Sequence, residues 1–425
     1  MTETIPNLSI SLALTALFVL ALIAGLIVRL WLSTRQIQHV AKFRGSVPTA
    51  FANKIGLDAH QKAADYTIAK MRLGVVEMAV GTAVILGWTL LGGLSVLNQG
   101  LIGLLGFSIG QQIALLSAFV VIGSLIDLPL TIYQTFVIEE RFGFNKMTMR
   151  LWLADLAKSG LVSALIGLPL MALIVWMMGE TGQWWWLWTW GVWMGFNLVL
   201  LFAYPAWIAP LFNKFKPLED EALKLQVTTL MQRCGFAAQG LFVMDGSKRS
   251  THANAYLTGF GASKRVVFYD TLLSKLTTNE VKAVLAHELG HFKHKHIVKR
   301  MASLFVSSFL GFALLGYLTN QAWFYTGLGV QPSLNAANDG LALILFFFFL
   351  PTFDFLVIPF TTRLSRQHEF EADAYAVLHT NGADLASALL KMYEDNATTL
   401  TPDPVYAKFH YSHPPASERL ARMSV

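Results

Sequence analysis

The sequence predicts a mainly helical integral membrane protein with seven transmembrane helices and a polar α+β domain built from two separate stretches of chain. Three observations predict it. Of 425 residues, 54% are hydrophobic and 14% charged, where a soluble domain carries about 25% charge. The charges are also unevenly placed: residues 159–210 hold one (Glu180), residues 301–353 hold one (Asp339), and residues 211–300 hold roughly a third of the total. Finally, apolar stretches of about 20 residues, the length that crosses a hydrocarbon core as a helix, recur at 8–32, 73–97, 112–136, 159–178, 186–208, 301–323 and 340–362.

This divides the chain into four parts. Residues 1–208 carry spans one to five with their loops, 209–300 the first part of the polar domain, 301–362 spans six and seven, and 363–425 the rest of the polar domain. Span one lacks a basic n-region, outruns an h-region and has no small-x-small site before Arg29, so it reads as a retained anchor rather than a removed signal peptide. The loop after span one carries Arg35, Lys42, Arg44, Lys54, Lys62, Lys70 and Arg72, and the loop after span three carries Arg141, Lys146, Arg150 and Lys158. The loops after spans two, four and six carry no Lys or Arg. Basic residues near span ends stay cytoplasmic, which places the N-terminus outside and both polar segments and the C-terminus inside.

Trp184, Trp185, Trp186, Trp188, Trp190 and Trp193 gather at the outer end of span five and read as an interfacial belt. Glu77, Asp127 and Asp354 fall within or near apolar runs, where acids are costly and face protein or water; helix–helix hydrogen bonding and the lining of a chamber explain them equally well. The net charge of +6 follows from the basic inner loops and is not read as nucleic-acid binding. The single cysteine, Cys234, forms no internal disulfide and reads as an inert core thiol.

Chemistry enters at VKAVLAHELGHFKHKH, residues 281–296, where an apolar helical run leads into His287, Glu288 and His291 in the H-E-x-x-H pattern. Residues four apart share one helix face, about 6 Å apart along the axis. Two imidazoles so placed can share one zinc ion, and Glu288 can reach a water held there. Thr277 to Glu280 form a capping stretch ahead of the helix.

A catalytic zinc takes a third protein ligand. His294 lies about 10.5 Å of helical rise from His287, too far for one ion, and His296 points away on the helical wheel, so both read as surface or headgroup residues. The better donor follows span seven, in LSRQHEFEADAYA at 364–376. There Glu369 and Asp373 share a helix face, Glu369 reading as third ligand and Asp373 as acceptor for a ligand histidine's free N–H; Glu371, nearly opposite, and His368 read as solvated.

Residues 251–270 read as two short strands joined by a Gly-rich turn, with an edge able to hold a peptide in extended form. Asn254 reads either as an amide contact to that peptide or as a turn-former. His413, stiffened by Pro414 and Pro415, could be aimed at the metal to stabilise an oxyanion, although such a histidine alone is more often a surface residue.

The chain resembles the type I CAAX prenyl proteases, seven-span zinc metallopeptidases that cleave farnesylated peptides, in LPLTIYQTFVIEERFGFNKMT at 128–148, YPAWIAPLFNKFKPL at 204–218, HANAY at 252–256, HELGHFKHKH at 287–296, EFEADAYA at 369–376 and HYSHPP at 410–415. The resemblance implies one Zn2+ on His287, His291 and Glu369, Glu288 as general base and acid, Asp373 orienting a ligand, and Asn254, His413 and Arg419 contacting substrate or transition state. It also implies a helical barrel around a large water-filled chamber, closed at its cytoplasmic end by the zinc domain. Its substrate would be a peptide or protein, prenylated or membrane-associated, presented at the bilayer. Phe370 and Glu371 stand where the family often has Tyr and Gln, and the sequence ends in no endoplasmic-reticulum retrieval signal, which fits a bacterial inner membrane. The rival readings are a quality-control membrane metalloprotease with no prenyl requirement and a non-catalytic zinc-binding scaffold; retention of Glu288 argues against the latter.

Overall fold

The computed structural model describes residues 4–236, 240–258, 265–333 and 336–423, with side chains from residue 8 onward. Seven helices among them are long and apolar enough to cross a membrane: Leu8–Phe43, Leu57–Trp88, Ile109–Glu139, Met149–Glu180, Gly182–Phe212, His296–Leu318 and Asp339–His379. Most outrun the predicted spans, because amphipathic or polar helix continues beyond the apolar stretch.

The second departs from expectation. Predicted as 73–97, it ends at Trp88, and a separate apolar helix runs from Gly93 to Leu105. Gly92 lies between them at φ 83°, a left-handed conformation that glycine enters without a Cβ clash. The third and fifth helices contain π-helical turns at Gln134–Glu139 and Tyr204–Ile208, both inside segments that carry the family resemblance. The seventh is two helices, Asp339–Phe349 and Asp354–His379, joined by a tight turn that contains Pro351. The second of these runs without a break through residues 362–363, so the third-ligand segment is the continuation of span seven.

The polar domain contains a four-stranded sheet: β1 (Phe215–Pro217), β2 (Gly240–Met244), β3 (Ala255–Thr258) and β4 (Arg265–Tyr269), in the order β1-β2-β4-β3. β2 and β4 are parallel; β1 pairs antiparallel with β2, and β3 with β4, Tyr256 opposite Val267. These last are the two strands expected in 251–270, while the Gly-rich turn at 259–264 lies outside the described residues. The sheet and its helices close over a core that includes Val227, Phe268, Leu272, Leu285, Leu289 and Leu385. Each such buried side chain contributes about 1.5–3 kcal/mol. A second apolar core, with Phe18, Leu94, Leu115, Phe324 and Ile344, ties the spans together at the other end of the bundle. Leu91, Leu104, Trp207 and Phe360 are largely exposed, uncovered by the rest of the chain.

The tryptophan belt divides. Trp184 and Trp188 are exposed, but Trp185 is buried and Trp186 and Trp190 lie edge-on to Phe309. Between the first, second and seventh spans lies a cavity of about 390 Å³ whose lining includes Arg29, Glu77 and Asp354. Asp127 is not among its lining residues.

Candidate metal centre

The helix Thr278–Lys293 begins with a reciprocal cap: the Thr277 hydroxyl accepts from the Glu280 N–H, and the Glu280 carboxylate accepts from the Thr277 N–H. Val281, Leu285 and Leu289 bury its apolar face in the domain core, which turns His287 and His291 toward the helix Asp354–His379. Gly290 sets how close the two helices come. A Cβ there would lie 2.9 Å from the Ala372 Cα and 3.1 Å from the Ala372 carbonyl oxygen, so a larger residue would push the two helices apart.

Across this contact the chain gathers three donors. The Nε2 atoms of His287 and His291 are 3.2 Å apart, and each is 3.5 Å from a Glu369 carboxylate oxygen. One ligand atom from each residue lies within 4.8 Å of the others. Glu369 is buried, yet its Oε2 has no hydrogen-bond partner, a costly state unless a cation satisfies it. On the far side of His287, Nδ1 is 2.8 Å from Asp373 Oδ1. A carboxylate only accepts, so Nδ1 carries the proton and the neutral ring keeps its Nε2 lone pair for a metal. Burial pulls the His287 imidazole down, but Asp373 and Glu369 outweigh it and raise it to about 9. Burial and the neighbouring His287 charge drop His291 to about 3. Without a metal the pair thus carries its positive charge on His287 rather than on both rings; a divalent cation would take the place of that charge with both rings neutral. The donor set of two imidazoles and a carboxylate fits zinc.

Glu288 faces the same cleft, surrounded by protein but still reached by solvent. Burial pushes its carboxyl up to about 7, with the nearby Glu369 charge adding to the rise. His413 also arrives here, its Nε2 3.5 Å from Glu369 Oε1 and its Nδ1 3.1 Å from the Ser412 hydroxyl. Asn254 sits exposed at the start of β3, its side-chain oxygen accepting from the Ala255 N–H while its carbonyl accepts from the Tyr269 N–H. β3 is the terminal strand of the sheet among the described residues.

The resemblance implies that Arg419 contacts substrate or transition state; the structure places it against Asp373. It is buried, and its Nε and one Nη donate to the two Asp373 oxygens at 2.8 and 2.6 Å. Its guanidinium fork therefore orders the carboxylate that orders His287, and the 46 positions separating the two in sequence hide the pair from any local pattern.

His296 and His368 are corrected too. Both were expected at the surface, yet both are buried and their rings stack at 4.0 Å. The wheel fails because the helix stops at Lys293 and Lys295 takes φ 55°, so the chain turns back and delivers His296 to His291. His294 stays exposed. A positive-φ residue just past an H-E-x-x-H helix would have been the signal, and Lys at that position does not announce one.

Two family models cover nearly the whole chain: the CAAX prenyl protease N-terminal region of five membrane helices at residues 36–214, and peptidase family M48 at residues 217–424. The chain belongs to the CAAX prenyl protease group of peptidase family M48. Among its curated relatives, the CAAX prenyl protease 1 homolog of Arabidopsis thaliana is 39% identical over 69% of both chains. CAAX prenyl protease 1 of Saccharomyces cerevisiae is 37% identical over 74% of this chain and 72% of its own, and the human homolog 34% over 74% of each. The crystal structure of S. mikatae Ste24p superposes with a TM-score of 0.90 at 31% identity, covering 98% of this chain and 99% of that one. M48 is a family of zinc metallopeptidases, so this protein is a multi-pass membrane metalloprotease.

Proposed function

We propose that this protein binds one Zn2+ through His287, His291 and Glu369 and hydrolyses a peptide bond of a prenylated or membrane-associated peptide near its C-terminus. The observation that carries the metal assignment is the buried Glu369 carboxylate, whose Oε2 has no hydrogen-bond partner and whose two oxygens lie 3.5 Å from His287 Nε2 and His291 Nε2 respectively. The prenyl specificity is supported by the names of relatives at 34–39% identity. The Lys and Arg asymmetry of the loops supports a cytoplasmic placement for the metal end.

Zinc in this pocket would supply a Lewis acid that polarises a carbonyl and makes water a stronger acid. The remaining work falls to the chain. Glu288 takes a proton onto its carboxylate and returns it to the leaving amine, a task suited to a carboxyl raised toward neutrality. His413 donates from its ring to the charge developing on the carbonyl oxygen. Asp373 holds the Nδ1 proton of His287, and Arg419 holds Asp373. The edge of β3 can align the peptide backbone, with Asn254 at its entrance.

The test compares a farnesylated peptide with the same peptide unmodified, using purified protein with and without a chelator. Preferential, chelator-sensitive cleavage of the farnesylated peptide is expected. Equal cleavage of both would leave a general membrane metallopeptidase instead, and cleavage unaffected by complete metal removal would overturn the zinc assignment.

A further inference from the structure

The two ligand histidines are held differently. His287 meets its carboxylate directly, whereas His291 Nδ1 lies 2.9 Å from His296 Nδ1, and His296 Nε2 lies 2.8 Å from Glu371 Oε2. We propose that His296 and Glu371 are positioning residues for the metal site: a carboxylate–imidazole relay that fixes the tautomer and orientation of His291. This rests on the reading of His287, His291 and Glu369 as zinc ligands.

The hydrogen-bond inventory determines each step. Glu371 is a carboxylate and only accepts, so His296 donates from Nε2. A neutral imidazole that donates from Nε2 has its lone pair on Nδ1, which therefore accepts. His291 must then donate from Nδ1, and its remaining lone pair is on Nε2, the atom facing His287 and Glu369. One exposed carboxylate thus sets the ligating nitrogen two residues away along the chain of contacts. The orientation of the relay is over-determined. His296 is 3% exposed, crosses the His291 ring at 70° with centroids 5.1 Å apart, and is backed by the stacked ring of His368. Left-handed Lys295 supplies the turn that brings His296 back toward the helix it has just left.

The two arms differ in where they end. Asp373 is buried and clamped by buried Arg419. Glu371 keeps 43% of its side chain exposed and, among the described residues, has only Lys299 and His294 as ionic partners beyond His296, each at 3.9 Å. The relay is accordingly the more weakly anchored of the two supports, and its loss should loosen the metal without dismantling the fold.

The experiment measures zinc affinity by competition with a chromophoric chelator on the full-length detergent-solubilised protein, alongside thermal unfolding of the metal-free form. His296→Ala should weaken zinc binding by about 10–100-fold, the usual effect of removing an outer partner of a metal ligand. Glu371→Gln, which alters only the exposed end, should weaken it less. The double variant should be no worse than His296→Ala, because the two act as one unit. His296→Gln, whose amide oxygen can accept from His291 Nδ1, should recover part of the loss while unfolding like the other variants. Wild-type affinity in both His296→Ala and Glu371→Gln would overturn the relay. Failure of wild-type protein to bind zinc at all would instead overturn the ligand assignment beneath it. Should His296→Ala not fold, Glu371→Gln and the partial rescue still decide the matter.

Discussion

The proposed metal centre and the cavity between the spans both hold charged side chains, but they treat them in opposite ways. At the metal centre Asp373 receives His287 and both arms of Arg419 within 2.8 Å, and Gly290 lets two helix backbones nearly touch. In the cavity, Arg29, Glu77 and Asp354 line one space with no hydrogen bond or ion pair joining them among the described residues. A buried polar group without partners is costly, so the second arrangement suits a hydrated space and the first a rigid one. Chemistry needs atoms held in place; room for a guest needs walls that do not compete for it.

The largest expected effect separates the two regions by activity. Glu288→Gln should retain zinc, measured by elemental analysis, and lose about 10²–10⁴-fold in peptide hydrolysis, whereas Glu77→Gln should leave cleavage of a short unprenylated peptide within a few-fold of wild type (~1.4 kcal/mol per tenfold). Similar losses from both would erase the contrast. A smaller effect probes rigidity: Asp373→Asn should weaken zinc binding by about 10–100-fold, read by chelator competition, while Asp354→Asn leaves it unchanged. An Asp373→Asn protein that binds zinc normally would show that the clamp does not support the metal.

The smallest effect concerns the base of the metal helix. Burial pushes the Glu280 carboxyl up, but hydrogen bonds from Lys391, Ser387 and Thr277 hold it down at about 2, below the ordinary 4.5. The folded state thus has the lower pKa. The stability this gives is complete above the unfolded value and is lost as pH falls from about 4.5 toward 2. Thermal unfolding across that range should decline less steeply in Glu280→Gln than in wild type. At neutral pH, Thr277→Ala should cost about 1 kcal/mol through loss of the cap. Parallel acid profiles of Glu280→Gln and wild type would assign the acid sensitivity elsewhere.

What was legible in the sequence follows from which forces act locally. The seven spans could be read because a membrane demands a long apolar run wherever a helix crosses it. His287, His291 and Glu369 stood out because helical period puts the first two on one face and zinc valence asks for a third donor. The end of the second span was missed because a hydropathy window does not see Gly92 turn left-handed. His296 was misplaced for the same kind of reason, since extrapolating a helical wheel past Lys295 assumes a helix that has already stopped. The clamp between Arg419 and Asp373 was not legible at all: it joins a C-terminal helix to the continuation of span seven, and only folding brings them together.

That continuation has a consequence for how the protein is made. The first two proposed zinc donors leave the ribosome before span six and the third only after span seven, and the arginine bonded to Asp373 comes last of all. A nascent chain is therefore not yet a protease. The cutting edge is sharpened only once the final hairpin has been threaded through the bilayer, and no soluble fragment shed from either side of that hairpin could carry it away.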